Sequence, residues 1–336
     1  MSAVAHAHAK VTMSLRVLGR RDDGYHDLDA LTVLVREPYD TVRVDDSSGE
    51  LRLSVTGPFA EGVPTDDTNL VVRALRLVGR DVAVTLHKGI PHGGGLGGGS
   101  SDAAAVLRMF ARTREQPREL AAQLGSDVPF CVGGRPARMR GRGEVLEPVS
   151  VPVLHVVIAT PRLRCATPAV YRAWDELGGP RSERTVLVPG LDEMLVNDLE
   201  PAAEHVEPGL REFRARFEDA VGTPALLCGS GSSFAAWFDS AAAAREAGEA
   251  ARRHLDAAGV WATATAASWS HRVRRSVARV TTVGPGAVRT RDDRPVRGGR
   301  VDRVGRGATC PADGAASASS SAASCASSCA CACGAS

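Results

Sequence analysis

The chain has very little lysine. Of its 41 basic residues only two, Lys10 and Lys88, are lysines. A chain this biased toward arginine is expected to use arginine wherever any cation suffices, so Lys10 needs a specific explanation. A compact ammonium on a flexible stem suits a point contact to a phosphate oxygen or a reacting hydroxyl. Lys10 is therefore a candidate functional residue, the alternative being a solvated lysine at the end of a strand.

Long apolar runs are also missing. No stretch approaches the ~20 apolar residues of a membrane-spanning helix, and residues 1–9 lack the apolar core of a signal peptide. With 336 residues, 43% of them hydrophobic, the chain is long enough for two globular domains. The sequence predicts a cytoplasmic protein without a membrane partner.

A surplus of positive charge is absent from most of the chain. The net charge is +2, but residues 268–336 hold 11 Arg against 4 Asp, which gives +7 there and −5 in the remainder. A mildly acidic body gives no support to nucleic-acid binding. We therefore expect no nucleic-acid partner.

Cysteines are few outside the C-terminal end. Cys131, Cys165 and Cys228 are widely separated, which predicts no disulfide framework. The other five lie after residue 300, in a tract without the large apolar side chains that could hold metal ligands in place. Residues 268–336 cannot bury enough surface to offset the entropy of ordering, so the sequence predicts a disordered tail there.

The most informative segment is the run from Pro91 to Ser101, in which six of the seven residues 93–99 are glycine. Without Cβ atoms, several backbone N–H groups can turn toward one anion. Ser100, Ser101 and Asp102 are good N-cap residues, and the apolar residues after them recur at helical spacing. The run is therefore predicted to end at a helix N-terminus, whose unpaired N–H groups and dipole attract phosphate.

Two common phosphate loops are disfavoured. A Walker A loop ends in Gly-Lys-Ser/Thr, whereas here Gly98 is followed by Gly99. Residues 93–98 match the Gly-x-Gly-x-x-Gly pattern of a dinucleotide-binding loop. The preceding residues 82–86, however, alternate between apolar and small or polar side chains, as in a strand with one solvent-exposed face, whereas the corresponding strand of that fold is usually apolar throughout. The segment between this strand and the glycine run is also too long for the tight turn of that fold. A flexible glycine linker remains the alternative.

The first half is predicted to consist of strands followed by helices. Residues 8–18 alternate apolar and polar residues, which predicts a strand with one buried face. Pro129 is expected to keep Val128 out of the helical region, so that Asp127 lies in an extended or turn segment. That placement suits a presented carboxylate, although loop aspartates commonly serve as turn or cap residues.

A second series of predicted strands and helices begins near residue 150 with a buried strand over 151–159. A second glycine-rich turn, at residues 229–233, is flanked by apolar strands. The second half is thus predicted to alternate helices and strands. The predicted helices cover residues 168–177, 190–199, 208–221 and 240–258.

Several separated motifs together resemble the GHMP kinases. They are the N-terminal strand with Lys10, the run from Pro91 to Ser101, and a second glycine loop from Leu227 to Ser232. Within that superfamily the chain resembles the kinases of 4-diphosphocytidyl-2-C-methyl-D-erythritol, on the segments Gly19–His26, Leu124–Phe130 and Asn197–Glu200.

The resemblance implies an α+β, two-domain GHMP kinase fold. Residues 1–150 would form the ATP-binding and catalytic domain, of the ribosomal protein S5 domain 2-like type, and residues 151–267 a ferredoxin-like α/β domain. It also implies ATP and Mg²⁺ as cofactors and a small cytidine diphosphate-linked sugar alcohol as substrate. We assign no protein ligand to the metal. The chain is expected to be a monomer or a homodimer.

The resemblance also assigns the reacting and substrate-binding residues. Asp127 would accept the proton of the substrate 2-hydroxyl, and Lys10 would hold Asp127 and the reacting oxygen in place. Tyr25 and His26 would stack on and hydrogen-bond the cytosine; without the resemblance they would be taken as a turn pair packed on the strand below. Thr12 stands where the family usually has Asn, so it offers a hydroxyl but no amide.

The remaining assigned residues surround the phosphates. The first glycine loop would wrap the ATP phosphates, and the second would line the phosphate side opposite it. The ATP-binding residues are then Pro91, His92, Gly93, Gly94, Gly95, Leu96, Gly97, Gly98, Gly99, Ser100 and Ser101, and those of the second loop are Gly229, Ser230 and Gly231.

Three other functions stay open at this point. Another GHMP small-molecule kinase, of homoserine or mevalonate type, would have no use for a cytosine-binding loop at Gly24–His26. An NAD-dependent oxidoreductase would bind its dinucleotide through the glycine run. A catalytically inactive nucleotide-binding homologue would account for Thr12 and for the unusual C-terminal tail.

Overall fold

The structure is a computed structural model that describes residues 2–46, 49–110, 116–191, 193–266 and 274–276. Two larger sheets and a short two-stranded ribbon are formed by these residues. They all belong to one unit, Met1–Val280.

A long antiparallel hairpin organises the first sheet. The predicted alternation over residues 8–18 extends along β1 (Ser2–Arg20), which pairs with β2 (His26–Asp45) over nearly its whole length. Lys10 lies opposite Leu34 in this register. The other strands are β3 (Arg52–Thr56), β4 (Ala83–His87), β5 (Ala137–Gly141), β6 (Val145–Pro148) and β13 (Arg274–Ser276).

The order of the first sheet is β13-β1-β2-β4-β3, with β5 paired to β2 and β6 to β5. Strand β4, which leads into the glycine run, is antiparallel to β2 and parallel to β3. This arrangement differs from the all-parallel sheet of a dinucleotide-binding fold. The glycine run therefore follows a strand of a mixed sheet, and β4 is half-buried, as the alternation over residues 82–86 predicts.

Helices cover this sheet and deliver the glycine run to its site. The Asn69 side chain caps the first helix by accepting a 2.8 Å hydrogen bond from Val71 N. In the second helix Ala103, Ala104 and Ala105 are fully buried, and their small side chains let the helix approach β1 closely. The helices are α1 (Leu70–Leu77), α2 (Gly98–Phe110), α3 (Gln116–Ala121) and α4 (Val128–Gly133).

The second sheet is antiparallel and lies in the second half of the chain. Its strands are β7 (His155–Pro161), β10 (Ala225–Leu227), β11 (Phe234–Phe238) and β12 (Ala257–Ala264), in the order β10-β11-β7-β12. The accompanying elements are α5 (Thr167–Glu176), α6 (Glu200–Val206), α7 (Gly209–Val221), α8 (Ala241–His254) and a ribbon of β8 (Thr185–Leu187) with β9 (Met194–Val196).

The segment after Asp127 is helical, so the prediction that Pro129 keeps Val128 out of the helical region is wrong, whereas Asp127 itself lies in a turn, as predicted. Helix α4 begins at Val128 with Pro129 in its first turn. Proline is compatible with a first turn because the N–H it lacks would have no intrahelical acceptor there. Asp127 consequently takes the N-cap position.

One helix prediction in the second half fails, and another extends its helix beyond the observed C-terminal end. Residues 190–199 contain strand β9 instead of a helix, because a short apolar run does not distinguish the two by periodicity. The helix predicted over 240–258 ends at His254, and Gly259, which falls beyond it, pairs with Thr160 within the second sheet.

A short strand, β13, lies within the predicted disordered tail. The sequence predicts no element after residue 267, whereas Arg274–Ser276 pair with Ser2–Val4; the rest of the predicted disordered tail lies outside the described residues. The predicted boundary near residue 150 falls between β6 and β7 and remains a prediction. Within the described segments, no helix is both long and apolar enough to cross a bilayer.

Candidate active site

A cavity of about 970 Å³ lies among the N-terminal hairpin, the glycine run and α5. It gathers residues that are far apart in the sequence, from Lys10 on β1 to Ser230 in the second glycine loop. Of the residues predicted for the site, only Ser101 and Gly231 do not line this cavity.

The glycine run forms a turn that ends at the N-terminus of α2. Gly93, Gly95 and Gly97 have φ angles of +76°, +76° and +65°, which residues with side chains rarely adopt. Helix α2 begins at Gly98, so Ser100 and its neighbours lie in its first turns and not before it as predicted. The result is a backbone cradle at a helix N-terminus, the arrangement that binds phosphate.

The two glycine loops pack directly against each other. A Cβ on Gly95 would overlap the carbonyl oxygens of Cys228 and Gly231. Ser233 N donates a 3.1 Å hydrogen bond to Gly94 O. Gly231 therefore supports the first loop from outside the cavity, while Gly229, its neighbour in the second loop, lines the cavity.

Lys10 and Asp127 meet at the floor of the cavity. Lys10 Nζ lies 3.2 Å from Asp127 Oδ2 and donates a 3.1 Å hydrogen bond to Thr12 Oγ1. The Lys10 side chain is 9% exposed, whereas that of Asp127 is 35% exposed. The ammonium is thus fixed in place by two oxygens, and the carboxylate is reachable by a ligand.

Helix α4 does not use the Asp127 carboxylate. Asp127 occupies the N-cap position, but its side chain makes no capping hydrogen bond. An aspartate at that position ordinarily accepts a bond from the first turn. The carboxylate is instead turned to Lys10 and remains available to accept a proton.

The predicted cytosine-binding pair lies on the cavity wall next to α5. His26 is buried, its ring is stacked on Tyr171 with centroids 4.8 Å apart, and its Nε2 lies 2.8 Å from Asp175 Oδ1. Since a carboxylate accepts, Nε2 is the protonated nitrogen. Tyr25 is 53% exposed, with the Arg142 guanidinium 4.6 Å from its ring centroid. One ring is fixed and the other is available for stacking.

The two serines of the loop have different surroundings. Ser100 lines the cavity. Ser101 is buried, and its hydroxyl donates a 2.5 Å hydrogen bond to His8 O on β1. The Ser101 hydroxyl therefore ties α2 to the sheet, which leaves Ser100 as the serine of this pair that can contact a ligand.

The cysteines near the site offer no nucleophile. Cys131 and Cys228 are fully buried, and burial raises the pKa of each thiol to about 12. Burial also lowers the pKa of His92, with Lys88 and Arg164 adding to the effect, so this cavity-lining imidazole is neutral near pH 7. The chemistry left to the site is proton transfer and anion binding.

Sequence reasoning missed one end of the cavity and much of its α5 wall. The residues at that end have apolar or small polar side chains that carry no motif, and the only local signal there is the helix-cap pattern before α1. The residues near His26 include charged side chains, but they stand far from His26 in the sequence. The missed lining residues include Val63, Pro64, Thr68, Asn69 and Leu70 at one end, and Tyr171, Asp175 and Arg142 near His26.

Comparison with known families agrees with this geometry. Residues 69–135 match the GHMP kinases N terminal domain, a range that contains the glycine run, α2 and Asp127. The chain is 40% identical over 250 residues to the 4-diphosphocytidyl-2-C-methyl-D-erythritol kinase of Paracoccus denitrificans, covering 72% of this chain and 89% of that one. It is 38% identical over 266 residues to the enzyme of the same name from Cutibacterium acnes, covering 70% and 85%.

Solved structures give the same result. A crystal structure of 4-(cytidine 5'-diphospho)-2C-methyl-D-erythritol kinase matches with a TM-score of 0.62 and 34% identity, over 78% of this chain and 98% of that one. Homoserine kinase from Cytophaga hutchinsonii matches with a TM-score of 0.57 and 21% identity, over 81% and 97%, which supports the fold alone. The chain therefore belongs to the 4-diphosphocytidyl-2-C-methyl-D-erythritol kinases, a GHMP kinase family of isoprenoid biosynthesis.

Proposed function

We propose that the chain transfers the γ-phosphoryl group of ATP to the 2-hydroxyl of 4-diphosphocytidyl-2-C-methyl-D-erythritol, with Asp127 as general base and Lys10 as its partner. The observation that carries this proposal is the 3.2 Å contact of Lys10 Nζ with Asp127 Oδ2 beside the glycine loops. A proton acceptor and a fixed cation are thereby placed next to a phosphate-binding backbone.

The proposed step balances without a covalent enzyme intermediate. Asp127 takes the proton of the 2-hydroxyl while the hydroxyl oxygen forms a bond to the γ-phosphorus of ATP. The bond between that phosphorus and the bridging oxygen breaks, and ADP leaves. Phosphoryl transfer of this kind needs positioning and charge stabilisation more than covalent help. Lys10 supplies both, because it contacts Asp127 and lies against the first glycine loop.

The ATP phosphates would be held by the N–H groups of residues 93–99 and by the hydroxyl of Ser100. The adenine would lie at the apolar end of the cavity, against Val63, Pro64 and Leu70. Mg²⁺ bound with ATP supplies further charge neutralisation. In the described part of the chain, no group of three or more His, Cys, Asp or Glu residues is arranged to hold a metal ion. We expect Mg²⁺ to be carried mainly by the phosphate oxygens of ATP and by water, as Mg²⁺ commonly is at phosphate-binding sites.

The cytosine would be recognised by Tyr25 and His26. The open face of Tyr25 offers a stacking surface, and the Nε2 contact with Asp175 leaves His26 Nδ1 free to accept a hydrogen bond. Thr12 replaces the usual Asn, and its hydroxyl is engaged by Lys10, which strengthens the hold on the ammonium.

The test is an ATP-dependent phosphorylation assay with three acceptors: 4-diphosphocytidyl-2-C-methyl-D-erythritol, homoserine and mevalonate. We expect phosphorylation of the cytidyl acceptor and cytidine-nucleotide binding by calorimetry. Turnover of homoserine or mevalonate without cytidine affinity would replace this proposal by another GHMP kinase activity. ATP binding without any turnover would indicate an inactive homologue. Cytoplasmic location and the monomer or homodimer state remain predictions.

A further inference from the structure

Three buried charged side chains form a cluster beside the phosphate loop. Lys88, the first residue after β4, donates to Asp40 Oδ2 and, at 2.8 Å, to Asp102 Oδ2. The exposed fractions of Lys88, Asp40 and Asp102 are 3%, 0% and 1%. The phosphoryl transfer proposed above uses none of them, although Lys88 is one of only two lysines in the chain.

Asp40 anchors the backbone that leads into the glycine run, which we call the entrance of the loop. It lies on β2, and its Oδ1 accepts hydrogen bonds from Gly89 N at 2.7 Å and Ile90 N at 2.8 Å. These two N–H groups belong to the segment that runs from β4 into the glycine run. One carboxylate oxygen therefore fixes the incoming backbone, and the other accepts from Lys88.

Asp102 lies in the first turns of α2, where the glycine run ends; we call this end the exit of the loop. Lys88 is thus bonded to a group that anchors the entrance and to a group on the helix that forms the exit. The first residue of that helix is in close contact with the cluster, since a Cβ on Gly98 would stand 3.2 Å from both Lys88 Nζ and Asp40 Oδ2. The loop ends are therefore joined through Lys88 at the point where α2 begins.

We propose that Lys88 is a positioning residue for ATP: by joining Asp40 to Asp102, it holds the two ends of the phosphate loop at the separation that the triphosphate requires. The inference rests on the proposed function only in taking ATP as the ligand of the loop.

The chemistry of the cluster suits this role. A compact ammonium can donate to carboxylates on different sides, whereas a planar guanidinium presents its donors in a fixed fork. Burial and the Asp40 carboxylate raise the pKa of Asp102 although Lys88 opposes them, and Asp102 Oδ1 has no hydrogen-bond partner in the structure. When Asp102 is protonated, the positive charge of Lys88 and the negative charge of Asp40 cancel. The cluster then carries no net charge and does not repel a triphosphate.

The experiment measures binding of Mg²⁺-ATP and, separately, of cytidine diphosphate by isothermal titration. Asp102→Ala removes the link at the exit and leaves the Lys88–Asp40 ion pair intact. We expect the Kd for ATP to rise about tenfold or more, because small misplacements of positioning groups have large effects, while the Kd for cytidine diphosphate stays unchanged. Asp102→Asn keeps a carbonyl that accepts from Lys88 and is expected to restore ATP affinity.

Glu204→Ala provides the matched control. Glu204 is also a buried carboxylate, bonded to Arg211 and Arg214, but it does not line the cavity. Its loss is expected to lower the melting temperature without changing the Kd for ATP. Lys88→Arg is the second test variant, because it keeps the charge but not the geometry, and it is expected to weaken ATP binding alone.

Three results would overturn the proposal: unchanged ATP affinity in Asp102→Ala, parallel losses of ATP and cytidine diphosphate affinity, or no rescue by Asp102→Asn. Titration needs no turnover, so a wild type that binds ATP but does not phosphorylate the cytidyl acceptor refutes the proposed function and leaves this test intact. A wild type that does not bind ATP refutes both.

Discussion

Gly97 and Lys10 are in direct contact: a Cβ on Gly97 would stand 2.6 Å from Lys10 Cγ. The backbones are joined next to this contact, where Lys10 N donates a 2.9 Å hydrogen bond to Leu96 O. The phosphate loop and the lysine that faces Asp127 are therefore positioned by one another. Any side chain at residue 97 must displace either the loop or the ammonium.

Gly97→Ala is expected to lower kcat by about 10²-fold, since a misplacement of about 1 Å at a catalytic group has an effect of this order. The φ of +65° at Gly97 adds backbone strain to the collision with Lys10. Steady-state kinetics with a melting curve would separate activity from stability. Gly133→Ala is the control, because a Cβ on Gly133 would meet nothing within 4 Å. Equal kcat values for the two variants would contradict the expectation.

Asp127→Asn is expected to lower the phosphorylation rate by about 10²–10⁴-fold, the usual effect of removing a general base. The melting temperature should hardly change, because the Asp127 side chain makes no capping bond to α4. Single-turnover kinetics and ATP titration would show a lost chemical step with retained binding. Asp256→Asn, at an exposed aspartate paired with Arg162, serves as control. A rate for Asp127→Asn equal to wild type would remove Asp127 as the base.

Tyr25→Ala is expected to weaken cytidine diphosphate binding by about 1–3 kcal/mol, the contribution of one base stacked on an aromatic side chain. ATP affinity should stay unchanged, because Tyr25 lies on the wall near α5 and not in the phosphate loop. Calorimetry with both nucleotides provides the measurement. Tyr39→Ala removes a partly exposed tyrosine that packs on His6 outside the cavity. If both variants bind cytidine diphosphate like wild type, Tyr25 does not stack on the base.

The parts of the site that could be predicted are those carried by local sequence. The glycine run, the alternation of β1 and the scarcity of lysine each point to a residue without knowledge of distant partners. The prediction that Val128 is not helical was wrong because the effect of Pro129 depends on its position in the helix. Proline is tolerated within a first turn, and the sequence does not mark where that turn begins.

The parts that could not be predicted depend on pairing across the fold. Asp175 lies 149 residues from His26, and no spacing in the sequence links them. Asp40 meets the loop only because the register of β2 against β4 brings it there. Such contacts carry no local signature, since they follow from strand order and packing.

The raised pKa of Asp102 predicts a stability that falls with pH. Burial, with the Asp40 charge adding to it and Lys88 opposing it, raises the pKa from 3.8 to about 8. Between these values the folded chain holds a proton that the unfolded chain has released. The contribution of Asp102 to the free energy of unfolding is therefore fully present below about pH 4, declines as the pH rises, and is lost by about pH 8.

Asp102→Asn tests this prediction because a neutral amide replaces the protonated acid at every pH. The urea midpoints of wild type and variant should be closest near pH 5. As the pH rises to 8, the midpoint of the wild type should fall relative to that of the variant, and above pH 8 the difference between the two midpoints should stay constant. Glu200, whose pKa burial also raises, titrates in both proteins and cancels in the difference. A difference between the midpoints that stays constant from pH 5 to 9 would show that Asp102 is ionised throughout, and the neutral state of the Lys88 cluster would then have to be abandoned.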